Sequence, residues 1–509
     1  MKNLYILILF FSILSCNDLI ELTPISEISA DNFWKTEGDA VAGLNGMYHK
    51  LRTPASSSFF MWGEGRSDVM GPSYLGAVAN FDVLYYNTLN TINSAYTYNG
   101  GDITWLNLYG IIHHANLIIK YVPEIKDMNI DEQNDIIAQA YTMRAYIYFL
   151  MVKIWGDIAI ISEPVEAISA DVLQVERNPK EEVFTFIKSD IENALNLFSN
   201  NNLSDKRNKW SKPAANMLKA DVYLWTAKRL NGGDSDLNIA LTSLNEAEQT
   251  NSNLTLLNDF HSVFSYNNKG NDEIIMSVNF SELEVPASTA WRETRFMYIH
   301  PAIPANISQA TRDAIGSPSA NGGYWGPRPE ICDMFSRDDQ RRNASFYQIF
   351  TQESNGDSTF YASLVYKFRG IERSGLRQWL DDNVLYRYAD ILLLRAEVKN
   401  ALGMDPSSDI NEIRKRAYQG DYNNHIFQNG NRIENDEAIL QERLLEFIFE
   451  GKRWWDLIRF GKAFEKVPSL QGREKDEYLL LFPIPEVTLS LETKMEQNPG
   501  YEGQDQTTN

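Results

Sequence analysis

The stretch from Asp436 to Lys462 constrains the fold of this chain most, because its apolar residues recur at helical spacing. These residues are Ile439, Leu440, Leu444, Phe447, Ile448, Trp454, Trp455 and Ile458. The spacing predicts one long helix with a broad buried face. Lys452 precedes Asp456 by four residues and Arg459 follows it by three, so both cations are predicted to neighbour that carboxylate. We therefore expect a core helix whose polar side is fixed by ion pairs.

Further amphipathic segments follow one another along the chain. Their apolar stripes span 41–51, 105–122, 136–154, 183–198, 237–248, 385–403 and 410–418, and another helix is predicted after Pro213. Asp131 is predicted to cap one helix, and Pro179 to lie in the first turn of another. Successive amphipathic helices with short links indicate antiparallel helical pairs, as in tetratricopeptide arrays, although the repeat period is ragged.

Two long segments break the helical pattern, at residues 53–101 and 251–382. Both contain many aromatic residues, and the second contains two short strand candidates, Glu273–Phe280 and Ser363–Gly370. Long irregular segments that carry many rings are uncommon unless they have a function. We therefore predict an all-α, tetratricopeptide-like superhelix of helical pairs. Its long loop-rich insertions are expected to carry a few short strands and form a ligand face.

The N-terminus resembles a bacterial lipoprotein signal. Lys2 precedes the apolar run Leu4–Leu14, which is too short to span a bilayer, and the run ends just before Cys16. We expect residues 1–15 to be a signal peptide, Cys16 to be lipidated and residues 16–30 to be a tether. The other cysteine, Cys332, is predicted to fill space in the core.

Composition and motifs argue against several function classes. The formal net charge of −21 disfavours nucleic acid, and more weakly disfavours polyanionic glycans. The chain has no Walker-type phosphate loop and no Gly-x-Ser-x-Gly motif. His113 and His114 are adjacent, so both cannot face one metal, and Asp234–Asp236 lacks the later ligands of a calcium loop. We predict no enzyme activity, no cofactor and no metal.

Several long motifs are similar to those of one known family. They are ERLLEFIFEGKRWWDLIRFGK, LLFPIPEVTLSLETKMEQNPGY, DNFWKTEGDAVAGLNGMYHKL, AQAYTMRAYIYFLMVKIWGD and LYRYADILLLRAEVKNALG. The chain resembles the SusD-like (RagB/SusD) family of nutrient-binding outer-membrane lipoproteins. The resemblance implies one SusD-like domain at 31–509, with a helical scaffold at 31–52, 102–250 and 383–509 and ligand-face segments at 53–101 and 251–382.

The resemblance also implies a function in polysaccharide utilization. The protein would be lipid-anchored, for example by palmitate, in the cell outer membrane and face the exterior. It would capture glycan oligomers for import through a SusC-like TonB-dependent transporter. Three alternatives remain at this stage: a peptide-capturing family member, a protein-interaction scaffold, and an α-helical glycoside hydrolase, which needs two carboxylates roughly 5–10 Å apart.

Candidate ligand-binding residues lie in the two loop-rich segments. Rings stack on the apolar face of a sugar, while charged groups bond its hydroxyl rim. The candidate rings are Trp62, Tyr96, Trp291, Tyr324 and Trp325. The candidate polar residues are Arg66 and Asp68, whose GEGRSD segment resembles a family element near the ligand, and Arg369, beside the strand-like residues Val365–Phe368.

Overall fold

The structure is a computed structural model that describes residues 33–56, 58–72, 83–89, 101–166, 174–281, 303–316 and 325–501. For residues 72, 101–104, 325 and 376 only the backbone is described. The predictions for the signal peptide, the tether and Cys16 lie outside the described residues.

Successive helices form most of the scaffold. Its N-terminal helices are α1 Glu37–Ser56, α2 Ser58–Gly63, α3 Gly101–Tyr121, α4 Ile130–Trp155, α5 Lys180–Leu197, α6 Lys212–Arg229 and α7 Gly233–Glu248. Short helices follow in the second loop-rich segment: α8 Gln309–Ile315, α9 Pro329–Cys332 and α10 Gln340–Ser345. The C-terminal helices are α11 Tyr388–Ala401, α12 Ser407–Tyr418, α13 Arg432–Phe447, α14 Arg453–Arg459, α15 Ala463–Lys466 and α16 Glu486–Leu491.

The long helices pack as pairs. α1 contacts α3, α4 contacts α5, α6 contacts α7, and α11 contacts both α12 and α13. Neighbouring pairs also touch through α5 and α6 and through α7 and α11, so one pair continues into the next. This arrangement confirms the prediction of an all-α, tetratricopeptide-like scaffold.

Helix starts differ slightly from those predicted. Asn129, not Asp131, caps α4, because its Oδ1 accepts from the backbone N–H groups of Asp131 and Glu132 at 2.9 and 3.3 Å. Pro179 lies at the N-cap position, just before α5 rather than in its first turn. Pro213 does lie in the first turn of α6, where a missing N–H costs little.

Eight short strands form four antiparallel pairs among the described residues. The strands are β1 Met70–Pro72, β2 Ile274–Val278, β3 Trp325–Pro327, β4 Phe346–Gln352, β5 Ser358–Val365, β6 Ile371–Arg373, β7 Leu376–Gln378 and β8 Asn383–Arg387. β1 pairs with β3, β2 with β8, β4 with β5, and β6 with β7. The first strand candidate is confirmed as β2. The second candidate, Ser363–Gly370, is shifted toward the C-terminus, because β5 begins at Ser358 and ends at Val365.

The prediction of one helix across 436–462 is wrong, because the chain breaks between α13 and α14. Phe449 and Gly451 adopt φ angles of 68° and 75°, which an α-helix does not permit. The backbone N–H of Phe449 donates to Glu64 Oε1 at 2.8 Å instead of to a helical carbonyl. A Cβ on Gly63 would lie 1.7 Å from the Gly451 carbonyl oxygen, so the two backbones touch at this break.

The start of the first loop-rich segment is helical core rather than loop. α1 continues through Pro54 to Ser56, and every described residue of α2 is buried. α2 contains Phe59, Phe60, Met61 and Trp62, which join the main hydrophobic core. Within the described part of the chain, every helix is too short or too polar to cross a membrane.

Candidate functional site

The two loop-rich segments meet at the β1–β3 pair. Met70 lies opposite Pro327, and Pro72 lies opposite Trp325. The N–H of Arg328 extends the pairing by donating to the Val69 carbonyl at 3.0 Å, and its guanidinium donates to the Asp68 carbonyl at 3.3 Å. Asp68 and Arg328 are 260 positions apart in the sequence, so this pairing joins two distant stretches of the chain.

Aromatic and charged side chains surround this junction. Tyr86 is 50% exposed, and its ring meets that of Tyr85 edge to face at 4.8 Å. The backbone of Tyr85 is fixed by a hydrogen bond, because Ser469 Oγ donates to its carbonyl at 2.8 Å. A Cβ on Gly71 would lie 3.9 Å from the Tyr85 ring and 3.0 Å from Arg328, so glycine lets these side chains approach β1.

Arg328 also pairs with Glu330, whose side chain is 70% exposed, at 3.5 Å. We name Tyr85, Tyr86, Arg328, Glu330 and the β1–β3 pair the ligand face. It presents an exposed ring beside a hydrogen-bond donor and an acceptor, which is the combination that a sugar ring with its hydroxyl rim requires.

Tyr366 and Tyr347 form a second group of rings next to Arg369, one of the predicted residues. Its guanidinium lies 3.6 Å from the centroid of the Tyr366 ring, and its Nε donates to the Tyr366 carbonyl at 3.4 Å. The Tyr366 hydroxyl donates to the Ala314 carbonyl at 2.8 Å, and the Tyr347 ring lies 5.5 Å away. Arg369 is half-buried and is held by the ring and the backbone carbonyl of Tyr366. Its contact with a ligand stays a prediction.

Trp62 lies in the core rather than on a surface that a ligand reaches. It is 4% exposed and packs edge to face against Trp155 at 6.0 Å. The uninterrupted apolar run from Phe59 to Trp62 is typical of a buried short element, and this pattern was available in the sequence.

Arg66 and Asp68 are also buried, contrary to the prediction of ligand contact. Arg66 is 0% exposed, and its guanidinium lies between the rings of Trp454 and Phe482 at 4.4 and 4.6 Å. Asp68 is 6% exposed and accepts from Arg453 Nη2 and Nε at 2.7 and 2.9 Å. Both charges are already paired or stacked within the protein, so their positions support a structural role.

The remaining predicted rings lie within or next to segments outside the described residues. Tyr96, Trp291 and Tyr324 lie outside the described residues. The backbone of Trp325 lies in β3, directly on the ligand face. These four residues stay predictions.

A buried ion-pair network fixes the C-terminal part of the scaffold. Arg387 donates to Glu273 and Glu446, each at 2.6 Å, and to Glu450 at 2.8 Å. Glu446 also accepts from Arg416 and from Arg341. Burial alone raises the pKa of Glu446, but Arg416, Arg387 and Arg341 reverse this effect and hold the pKa well below its ordinary value.

The predicted ion pairs of the segment 436–462 are half right. Arg459 contacts Asp456 at 2.8 Å, as its spacing predicts. Lys452 pairs instead with Asp390 on α11 at 2.7 Å, because the break before α14 removes it from the helix. Asp456 takes its second cation, Arg443, from α13 at 2.9 Å.

Groups considered for chemistry have structural roles where they are described. Cys332 is a buried free thiol, and burial raises its pKa to about 12, so the prediction of a core filler is confirmed. Asp236 accepts from Lys188 at 2.8 Å rather than facing an empty cation site. No cluster of three or more His, Cys, Asp or Glu able to hold a metal occurs among the residues that the structure describes.

Comparison with known proteins gives consistent matches. A family model described as the SusD family matches residues 223–501, and one described as starch-binding associating with outer membrane matches residues 43–224. A SusD-like protein of Formosa agariphila is 27% identical over 96% of both chains. The solved structure of NanU from B. fragilis superposes with a TM-score of 0.82 at 30% identity, covering 94% of this chain and 99% of that one. A SusD superfamily protein of Bacteroides vulgatus gives a TM-score of 0.79 at 29% identity, over 92% and 100% of the two chains. On the extent of these matches, the chain belongs to the SusD family.

Proposed function

We propose that this protein binds oligosaccharides without cleaving them and delivers them to a SusC-like TonB-dependent transporter. It is anchored in the outer membrane by a lipid on Cys16 and faces the exterior. The ligand is captured at the ligand face, and closure of the protein on the transporter commits it to import.

The observation that carries this proposal is the ligand face itself. An exposed ring at Tyr86 offers a surface for the C–H face of a sugar, and Arg328 and Glu330 offer a donor and an acceptor for its hydroxyls. β1 and β3 come from different segments and pair with each other, so each strand holds the other in position. Such preorganisation lowers the entropic cost of binding.

Relatives supply the ligand class. The family model over residues 43–224 is described as starch-binding and associating with the outer membrane. The starch-binding protein SusD of Bacteroides thetaiotaomicron is 32% identical over 127 residues, which cover 24% of this chain and 22% of that protein. The lipidated cysteine and the transporter partner rest on the N-terminal sequence and on family membership.

A glycan panel tests the proposal. Protein lacking residues 1–16 is titrated with neutral oligosaccharides and, in parallel, with peptides, and each mixture is analysed for cleavage products. We expect saturable glycan binding without products. Tyr86→Ala removes a ring contact of about 1 kcal/mol, so it is expected to weaken binding by about five- to ten-fold.

Phe350→Ala is the matched control, because Phe350 is an exposed ring on β4 with 43% exposure, packs against Phe360 and is not one of the residues that define the ligand face. It is expected to leave binding unchanged. Product formation would favour a glycoside hydrolase, binding of peptides alone would favour a peptide-capturing relative, and no small-molecule binding would favour an interaction scaffold.

A further inference from the structure

A cavity of about 1170 Å³ opens between α1, the turn at residues 204–209 and the end of β2. It is lined mainly by polar side chains, and none of its described lining residues belongs to the ligand face. We name it the basic cavity. Its volume exceeds that of a typical small-molecule pocket, about 300–1,000 Å³, so it has room for more than one sugar ring.

One face of α1 forms a wall of this cavity. Asn45, Tyr48, His49 and Arg52 line it, and their spacing of three and four residues places them on one side of the helix. The Arg52 guanidinium is held in position, because its Nε donates to the Asn279 carbonyl at 2.9 Å and its Nη1 lies 3.1 Å from His49 Nδ1. The wall therefore presents amide and cationic groups in a fixed arrangement.

The turn opposite α1 adds two lysines. Arg207 adopts a φ of 54°, is 7% exposed, and donates to the Asn253 carbonyl at 3.1 Å, so it turns into the protein. Its own carbonyl accepts from Ser277 on β2 at 2.7 Å, which fixes the turn to the strand. Lys206 and Lys209, on either side of Arg207, line the cavity.

The described lining residues of this cavity differ in charge sign from the whole chain. Among them, Arg52, Lys206 and Lys209 are cationic and Asp205 is the one carboxylate, so with His49 neutral they carry a net charge of +2, while the chain carries −21. Within the described residues, Lys206 and Lys209 make no salt bridge. Because salt screens distant charges beyond about 8–10 Å, the local groups and not the overall charge decide what binds here.

We propose that the basic cavity is a second binding site and that it takes an acidic saccharide bearing carboxylate or sulfate groups. Lysine and arginine bond such oxyanions through charge-assisted hydrogen bonds, and Asn45 and Asn208 bond the neighbouring hydroxyls. The site extends the proposed function, since it adds a charged class of sugar to those bound at the ligand face.

Calorimetric titration of the intact protein in detergent tests this site. The probes are tetragalacturonate for the carboxylate source, a sulfated neocarratetraose for the sulfate source, and neutral maltotetraose. We expect the wild type to bind at least one acidic probe. The double variant Lys206→Glu/Lys209→Glu is expected to bind it about ten-fold more weakly, since two solvent-accessible charge contacts together are worth about 1.4 kcal/mol. Lys206→Gln/Lys209→Gln is expected to give a smaller loss and guards against a folding defect in the Glu variant.

Lys126→Glu/Lys180→Glu is the matched control, because both lysines are exposed, lie outside the cavity and change the net charge equally. It is expected to bind the acidic probe like the wild type. The proposal is overturned if the wild type binds neither acidic probe, if the cavity variant binds like the wild type, or if both double variants lose affinity equally. The proposed function fails separately, through absent binding of neutral glycans or an unchanged Tyr86→Ala variant.

Discussion

Replacing Glu446 by Gln tests whether the buried ion-pair network stabilises the fold. Glu446 contacts Arg387 at 2.6 Å and Arg341 at 3.2 Å, and it also accepts from Arg416, with every one of these side chains buried. Removing one partner from a buried ion pair costs about 3–5 kcal/mol, because a charge is left uncompensated. Arg387 keeps Glu273 and Glu450, and Arg341 keeps Asp339 and Glu442, so we expect the lower end, about 3 kcal/mol.

The control lies on the same helix. Glu437 pairs with Lys462 at 2.7 Å and Lys466 at 3.1 Å, but its side chain is 39% exposed. Solvent weakens such pairs, so Glu437→Gln is expected to cost about 0–1 kcal/mol.

Urea unfolding followed by tryptophan fluorescence and by circular dichroism measures both free energies of unfolding, provided that the two transitions coincide. The surrounding arginines hold the pKa of Glu446 below its ordinary value of 4.5, so its contribution is present above that pH and is lost as the pH falls further. The difference between the variants is therefore expected to be constant from about pH 6 to 8. A Glu446→Gln cost within about 1 kcal/mol of the Glu437→Gln cost would refute the argument that burial makes this network structural.

Two further substitutions probe the core. Trp62→Ala is expected to lower the free energy of unfolding by about 3–5 kcal/mol, whereas Tyr86→Ala, at an exposed ring, is expected to change it by less than about 1 kcal/mol; equal losses in chemical denaturation would place Trp62 on the surface. Lys153→Met tests a half-buried lysine whose pKa is lowered by desolvation from 10.5 to about 8 despite the nearby carboxylate of Asp221. A lysine whose pKa is lower in the folded than in the unfolded protein destabilises the fold at pH values below the folded pKa. This cost shrinks as the pH rises toward the unfolded pKa, so the variant is expected to have a higher Tm than the wild type at pH 7. The gain should shrink between pH 8 and 10.5 in scans across that range, and an undiminished gain at the upper end would contradict the assignment.

Sequence pattern predicts the helical scaffold well, because the apolar residues of its long helices contact nearby turns and neighbouring pairs. The 3.6-residue period places α3–α7, α11 and α12 correctly to within a few residues. The apolar period does not reveal the break between α13 and α14. It depends on Glu64, which lies 385 positions from its partner Phe449.

The candidate site was harder to predict for the same reason. Arg66 and Asp68 have polar side chains in a glycine-containing segment, which indicates a loop, yet their partners near residues 453–482 bury them. The sequence pattern does not single out Tyr86 and Arg328, because only the β1–β3 pairing brings them to one surface. Periodicity reports burial against residues nearby in the sequence. The burial of Arg66 and Asp68 and the meeting of Tyr86 with Arg328 both depend on residues that are distant in the sequence.

The contact between Gly63–Asp68 and Phe449–Arg453 has a consequence for how the chain matures. Buried residues of one matched portion, 43–224, bond to buried residues of the other, 223–501, across this contact. Neither portion alone therefore forms a complete core. We therefore expect folding to finish only after the C-terminal part has been synthesised. A chain truncated before Phe449 leaves Glu64 and Asp68 facing solvent or apolar neighbours, and we expect quality-control proteases to remove it.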